Sequence, residues 1–377
     1  MPDAYHIAAI EPFCGGSHQA FLEGFQRHSR HQVDILGLPA RKWKWRMRGA
    51  AIHFAEQLRG KVGDYDLIFV SDFLSLADLV GLLPAELATV PKVVYFHENQ
   101  LTYPYREESE RDYQFAFTNI TTCLAADRVL FNSQFHRDSF LGAIAPFLRK
   151  MPDFRPGGVV QAIDAKSSVL YYGLDLDQLG ATPNPERDGP PLVLWNHRWE
   201  FDKNPEDFFA VLTELAEDGH DFRVAIVGER FKRYPEVFDT AREALGDRVV
   251  QFGYLDTRDA YFELLRRCDI SVSTAIHEFF GVSVLEAIAA GCYPLLPERL
   301  TYPELLPAEL HEQHLYRTPN QLKRKLAAAF ERIDRVRQTD LHHVADRFTW
   351  QALAEQYDQT MQNAVNAKKE TLDAAGK

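Results

Sequence analysis

Cys268-Asp269-Ile270-Ser271-Val272-Ser273, then His277-Glu278-Phe279-Phe280-Gly281, then Val282-Ser283-Val284-Leu285-Glu286-Ala287-Ile288-Ala289-Ala290: in that order the chain reads as strand, loop and helix. A short apolar run suits a strand buried in a parallel sheet, and the apolar stretch after Gly281 suits a buried helix. The first turn of a helix carries unpaired backbone N–H groups and a partial positive charge, which makes it a seat for phosphate. Glu278 on the loop and Glu286 two turns into the helix add carboxylates that accept hydrogen bonds from sugar hydroxyls around that phosphate. The expectation is a nucleotide-sugar site at the carboxyl end of a strand, with His277, Phe279, Phe280, Gly281 and Val282 around it.

Working outward, the same strand–helix alternation fills the chain. The first half offers strands at His6–Ile10, Val33–Leu36, Asp66–Val70, Lys92–Phe96 and Arg128–Phe131, with a helix from about Gln19 to Arg27. The second offers Leu192–Trp195, Phe222–Gly228, Val249–Gly253, Cys268–Ser273 and Tyr293–Leu296. Such alternation specifies α/β architecture, with parallel strands joined by crossover helices. Two doubly wound, Rossmann-like domains are expected, at 1–180 and 190–349, facing a central cleft. The turn Tyr171-Tyr172-Gly173, the run Ala181-Thr182-Pro183-Asn184-Pro185 and Gly189-Pro190-Pro191 read as the linker. A closing helix at about 350–365 is expected to pack back on the first domain, and the polar tail from Lys368 to fray.

A length of 377 residues fits two cores better than one, and 46% hydrophobic with 25% charged residues is an ordinary globular balance. No window approaches the roughly 18 apolar residues of a membrane span, and the start lacks a basic-then-apolar leader, so a cytoplasmic protein without a membrane partner is expected. Cys14, Cys123, Cys268 and Cys292 are too scattered for a zinc site or disulfide framework. No H-E-x-x-H occurs and no D-x-D follows a strand; Asp175-Leu176-Asp177 reads as turn chemistry, so no metal is assigned. The net charge of −12 opposes generic nucleic-acid binding. Against that average, Arg41, Lys42, Lys44, Arg46 and Arg48 cluster around Trp43 and Trp45. The run serves either as a solvated face or as a docking surface in which indoles stack on bases and cations hold phosphates.

Three more constellations sit where strands end. Gly15-Gly16 follows the first strand, where glycine lets the backbone approach a phosphate; a plain tight turn uses the same pair. Trp195-Asn196-His197-Arg198-Trp199-Glu200-Phe201-Asp202-Lys203 opens the second domain with a guanidinium fork and a point charge, the pairing a diphosphate needs. Fixed there, Arg198 and Lys203 are expected to stabilise a departing diphosphate without a metal; a surface loop with incidental cations is the bland alternative. His97-Glu98-Asn99-Gln100 follows the fourth strand, so His97 can meet the transferred sugar while its neighbours read acceptor hydroxyls; a satisfied buried histidine is the bland alternative.

These motifs resemble retaining glycosyltransferases of the GT-B fold. More narrowly, Glu11-Pro12-Phe13-Cys14-Gly15-Gly16-Ser17-His18, the Leu38–Gly49 basic segment, His97–Pro104, Asn196–Pro205 and His277–Gly281 resemble the tRNA-queuosine mannosyltransferase family. That resemblance implies transfer of mannose from GDP-mannose to the cyclopentene hydroxyl of queuosine in a tRNA anticodon (tRNA-Asp type), with retention, no cofactor and no essential metal. By motif position it implies catalytic roles for His97, Arg198, Lys203 and Glu278. Donor binding falls to Gly15, Gly16, Asn196, Arg198, Lys203, His277–Val282 and Glu286. Acceptor binding falls to Ser17, His18, Arg41–Arg46, Arg48 and His97–Gln100. Another nucleotide sugar on a lipid, saccharide or small-molecule acceptor, or a non-catalytic nucleotide- or RNA-binding module, stands as the alternative.

Overall fold

Among the described residues twelve short strands, most of them closed to solvent on both faces, form two separate parallel sheets. The computed structural model describes residues 4–179, 187–230 and 234–375, so the run Ala181–Pro185 read as a linker lies outside the described residues. The first sheet is built from β1 (His6–Cys14), β2 (Gln32–Pro39), β3 (Leu67–Ser71), β4 (Lys92–Phe96), β5 (Arg128–Phe131) and β6 (Ser167–Val169), in the order β2-β1-β3-β4-β5-β6. The second holds β7 (Leu192–Asn196), β8 (Arg223–Val227), β9 (Val249–Gly253), β10 (Ile270–Val272), β11 (Tyr293–Pro297) and β12 (Leu315–Tyr316), in the order β12-β11-β10-β7-β8-β9. Two strands, β6 and β12, were not expected. In each sheet the chain moves out on one side of its first strand and returns on the other, which creates one switch point beside β1 and another beside β7. Among the described residues no helix is long and apolar enough to cross a membrane.

The chain divides into two units, Met1–Leu174 with Trp350–Lys377, and Asp175–Thr349. The closing helix spans Trp350–Ala375, longer than the sequence suggested. The frayed tail expected from Lys368 is instead helical to Ala375, and Lys368 stands 2.8 Å from Asp127. Trp350 anchors this helix in the first unit. Its indole is 1% exposed and fills the space left by two glycines: a Cβ on Gly24 would lie 1.9 Å from Nε1, and one on Gly173 would lie 2.4 Å from Cδ2. Phe21 and Tyr357 pack on it with ring centres 5.5 and 5.0 Å away. About two turns beyond Trp350, Asp358 accepts from Ser29 Oγ at 2.5 Å and from the Arg30 N–H at 3.0 Å.

β1 also differs from expectation. It runs on to Cys14, so Glu11, read as a loop residue, is a fully buried strand residue. An acid inside a parallel strand needs a specific partner, which points to the site.

Candidate functional site

The second unit places its loops after β7 and β10 side by side at the switch point, where doubly wound sheets bind ligands. The loops are laced together. The N–H groups of Ile276 and His277 donate to the Asp202 carbonyl at 2.8 and 3.2 Å, and Thr274 Oγ1 donates to the Lys203 carbonyl at 2.9 Å. This lacing buries Lys203, whose ammonium donates to the His277 carbonyl at 2.8 Å and stands 3.0 Å from Asp202 Oδ2 and 3.4 Å from Glu278 Oε2. The other oxygen of Glu278 accepts from the Phe279 N–H at 3.2 Å. Gly228 permits the close approach: a Cβ there would lie 1.8 Å from the His197 carbonyl oxygen.

Charge at this cluster is strongly coupled. Burial raises the Glu278 carboxyl, but Lys203, His197, His277 and Arg198 overcome it and hold the group down at about 2. Burial lowers Lys203, yet Glu278 and Asp202 leave its affinity for the proton raised. Burial first, and then Lys203, drives both His197 and His277 down to about 4, so neither imidazole carries charge at neutral pH. Arg198 is the more exposed cation, 3.3 Å from Glu200. Together these form an ionised carboxylate and two fixed cations beside the start of the Val282–Ala289 helix.

Glu286, the fifth residue of that helix, accepts from the Tyr261 hydroxyl at 3.2 Å and faces Arg258 at 3.6 Å. Burial raises its carboxyl, against the pull of Arg258 and Tyr261. Asn196 donates to Tyr261 Oη at 2.9 Å and to the Ser283 carbonyl at 2.8 Å, which ties β7 to the helix. Phe279 and Phe280 are buried, with Phe279 edge-on to His277 at 4.4 Å, so they shape the loop from within. Gly281 takes a left-handed φ of 96° at the helix start, and Val282 is the first helical residue. Asp202, Arg258 and Tyr261 had not been singled out from the sequence.

In the first unit the switch point gathers residues from the ends of β1, β3 and β4. His18 Nδ1 lies 3.0 Å from Glu11 Oε2, whose second oxygen accepts from the Phe13 N–H at 2.8 Å. Burial lowers His18, but Glu11, Asp72 and Glu98 win and lift it to about 9, so it is a histidinium. Its ring centre is 4.1 Å from that of His97, which burial and the His18 charge keep neutral. Asp72, unexpected from the sequence, accepts from the His97 N–H at 2.8 Å, and Asn132 donates to the His97 carbonyl at 2.9 Å. Asn99 is fully buried and bonded to Thr102; Gln100 donates to Glu98 at 2.9 Å and through its N–H to Asn119 at 2.7 Å. These two amides brace the loop that carries His97, and Glu98 beside them is half-buried. Gly16 has φ of 54° with open space where a side chain would stand, and Ser17 is exposed, whereas a Cβ on Gly15 would meet Ala40 at 2.6 Å.

Nitrogens and oxygens of Glu11, His18 and His97 lie within 4.8 Å of one another, close enough to hold a metal ion. His18 already carries a proton bonded to Glu11, so charge pairing accounts for the cluster as it stands. The pairing has a pH signature. The folded His18 lies at about 9 against a usual 6.5, so its stabilising effect is fully present below 6.5 and is lost as pH rises through 9. That shift corresponds to about 3 kcal/mol. Urea titrations at pH 6 and pH 10 should show this loss in the parent protein and not in His18→Gln.

The basic segment opens a helix at Trp43–Leu58, entered through Lys42 at a left-handed φ of 56°. The structure splits the cluster. Trp43 packs inward on Phe115, ring centres 5.0 Å apart, so it is an anchor and not a free stacking surface. Trp45 is 79% exposed, and Arg41, Lys42 and Lys44 are exposed with it. Arg46 donates to the Pro39 carbonyl and Arg48 to Gln114, each at 3.3 Å.

Residues 6–174 match the family described as tRNA-queuosine alpha-mannosyltransferase N-terminal, and residues 181–331 match glycosyl transferases group 1. A Drosophila melanogaster tRNA-queuosine alpha-mannosyltransferase is 44% identical over 85% of this chain and 86% of its own length. A GDP-mannose-dependent alpha-(1-6)-phosphatidylinositol dimannoside mannosyltransferase of Mycobacterium tuberculosis is 26% identical over 91% and 87%. Among solved structures, sucrose-phosphate synthase from Thermosynechococcus elongatus superposes with a TM-score of 0.71 at 16% identity, covering 96% of this chain and all of that one. Anabaena HepE with UDP and glucose gives 0.68 at 14% identity, covering 95% and 99%. The fold is therefore GT-B, and the chain is a glycosyltransferase that belongs to the tRNA-queuosine alpha-mannosyltransferase family.

Proposed function

We propose that this protein transfers mannose, with retention, from GDP-mannose to the cyclopentene hydroxyl of queuosine in tRNA, in the cytoplasm and without a metal. The observation that carries this reading is the Lys203–Asp202–Glu278 cluster at the second switch point, in a chain of this family. Arg198 and Lys203 hold the diphosphate, and their charge counts most as the departing phosphate gains its own. Glu278, ionised and pinned by Lys203 and the Phe279 N–H, accepts from mannose hydroxyls; Glu286 and Tyr261 take the ribose. His97, neutral, touches the sugar, and the leaving phosphate accepts the proton of the attacking hydroxyl. The mannose donor of the mycobacterial relative supports the choice of donor.

The test is incubation with queuosine-bearing tRNA and a panel of nucleotide sugars, followed by nucleoside mass analysis. A queuosine hexose adduct formed from GDP-mannose alone is expected; transfer from another donor, or to liposomes instead of tRNA, would end the proposal. A chelator arm should leave turnover unchanged. Loss on chelation, restored by added metal, would move Glu11, His18 and His97 to a metal-holding role.

The exposed face Arg41, Lys42, Lys44 and Trp45 is assigned to the RNA. Substituting Arg41, Lys42 and Lys44 together by alanine should lower tRNA affinity and reduce the salt slope by about 3, since each lost phosphate contact releases about one counterion less. GDP binding should stay as in the parent. A filter-binding series in salt reads both.

A further inference from the structure

Tyr293 begins β11, so it lies at the amino end of the parallel strands, opposite the donor loops, which leave the carboxyl ends of β7 and β10. At that end a cleft of about 480 Å³ opens between β11 and the helices Pro319–Glu331 and Ile333–Arg337. Its walls carry Arg324, Lys325, Arg332 and Arg335, with Gln321 and Thr339 as neutral polar groups. Four cations converge here in a chain whose net charge is −12. Elsewhere on the same helices cations are paired with acids: Lys323 with Glu214 and Asp218 at 3.0 and 2.8 Å, and Arg337 with Asp269 at 2.9 Å. Among the described residues none of the four cleft cations is in an ion pair. Lys325 is held by the Gln313 carbonyl at 3.0 Å, Arg332 by the Ala328 carbonyl at 3.0 Å, and the acid that acts on Lys325 is Glu312. Tyr293 packs against His314 with ring centres 4.3 Å apart and planes tilted by 42°, which fixes the cleft wall.

Like charges around one hollow repel, and their convergence without carboxylates is explained by an anion between them. The volume falls within the range of small-molecule sites, about 300–1,000 Å³. A nucleic-acid footprint is instead spread along a stripe or face. We infer that this cleft binds a compact phosphate-bearing small molecule, of about mononucleotide size, at a site separate from the donor site. Arg324, Arg332 and Arg335 grip the phosphate oxygens, Lys325 adds a point charge, and Gln321 and Thr339 meet the remaining polar atoms. The assignment does not depend on the identity of the donor or acceptor.

The probe is inorganic pyrophosphate, titrated calorimetrically into the full chain. Because the donor site also attracts a diphosphate, the parent is compared with Arg198→Ala and with the double variant Arg324→Gln/Arg335→Gln. Two binding events are expected in the parent. Arg198→Ala should keep the cleft event, and the double variant should weaken it by about tenfold or more, as expected when charge-assisted contacts are removed. Arg324 and Arg335 are exposed, so their loss leaves the fold intact, and an unshifted melting temperature verifies this. An isotherm of the double variant that superimposes on the parent's would overturn the inference. So would a loss confined to a short single-stranded oligoribonucleotide, with pyrophosphate binding unchanged, which would make the cleft part of an RNA footprint.

Discussion

Lys203→Met should leave a protein that transfers no measurable sugar and has lost about 3–5 kcal/mol of stability, the usual cost of removing one partner from a buried ion pair. The methylene stem is nearly reproduced, so the loss isolates the ammonium. Without it the buried Asp202 and the half-buried Glu278 are left as neighbouring carboxylates, and the His277 carbonyl loses its 2.8 Å donor. Turnover should fall about a thousandfold or more, the scale seen when a preorganised group that stabilises developing charge is deleted. The pH dependence carries a sign. Glu278 is held at about 2 against a usual 4.5, so its contribution is present above 4.5 and disappears as pH falls toward 2. The stability gap between parent and variant should therefore narrow across that window in denaturant titrations. Adding Glu278→Gln to the variant should restore part of the stability and none of the turnover. A variant as stable as the parent at pH 7 would show that Lys203 is not paired as described.

Trp350→Ala should cost about 3–5 kcal/mol, the range for emptying a large aromatic from a core. Collapse cannot close the hole, because the walls at Gly24 and Gly173 have no side chains to move into it. The damage belongs to one unit. Calorimetry should show the transition of the first unit moved to lower temperature while that of Asp175–Thr349 stays in place. Gly24→Leu, which would drive a side chain into the indole, should shift the same transition. A single unmoved transition in Trp350→Ala would refute the anchoring role.

The buried strands were legible because apolar runs such as Leu67–Val70 and Val93–Phe96 bounded by polar turns have few other readings. Ser167–Val169 and Leu315–Tyr316 were not, being two or three residues long and lacking such a run; pairing with an existing edge makes them strands. Glu11 was misread for the opposite reason. An acid breaks the apolar pattern, and only the nearby His18 makes it tolerable inside a sheet. The loop motifs after β7 and β10 were visible as dense polar residues behind apolar strands. That Lys203 would sit between Asp202 and Glu278 was not, since 75 residues separate the last pair and spacing says nothing of it. Asp72 offered a faint signal, an acid directly after a strand whose residues Leu67–Val70 are all apolar. Trp43 and Trp45 looked alike in sequence; helical geometry turned one inward and the other out.

The second unit is one uninterrupted segment, whereas the first is assembled from both sides of it. During synthesis, residues 175–349 emerge with all their sheet neighbours already present. The earlier-made stretch must wait, its groove beside Phe21 and Phe25 uncovered, until the Trp350–Ala375 helix leaves the ribosome. Order of birth and order of completion are thus reversed. Chaperone demand during translation should accordingly fall on the segment made first, and end only when that helix docks.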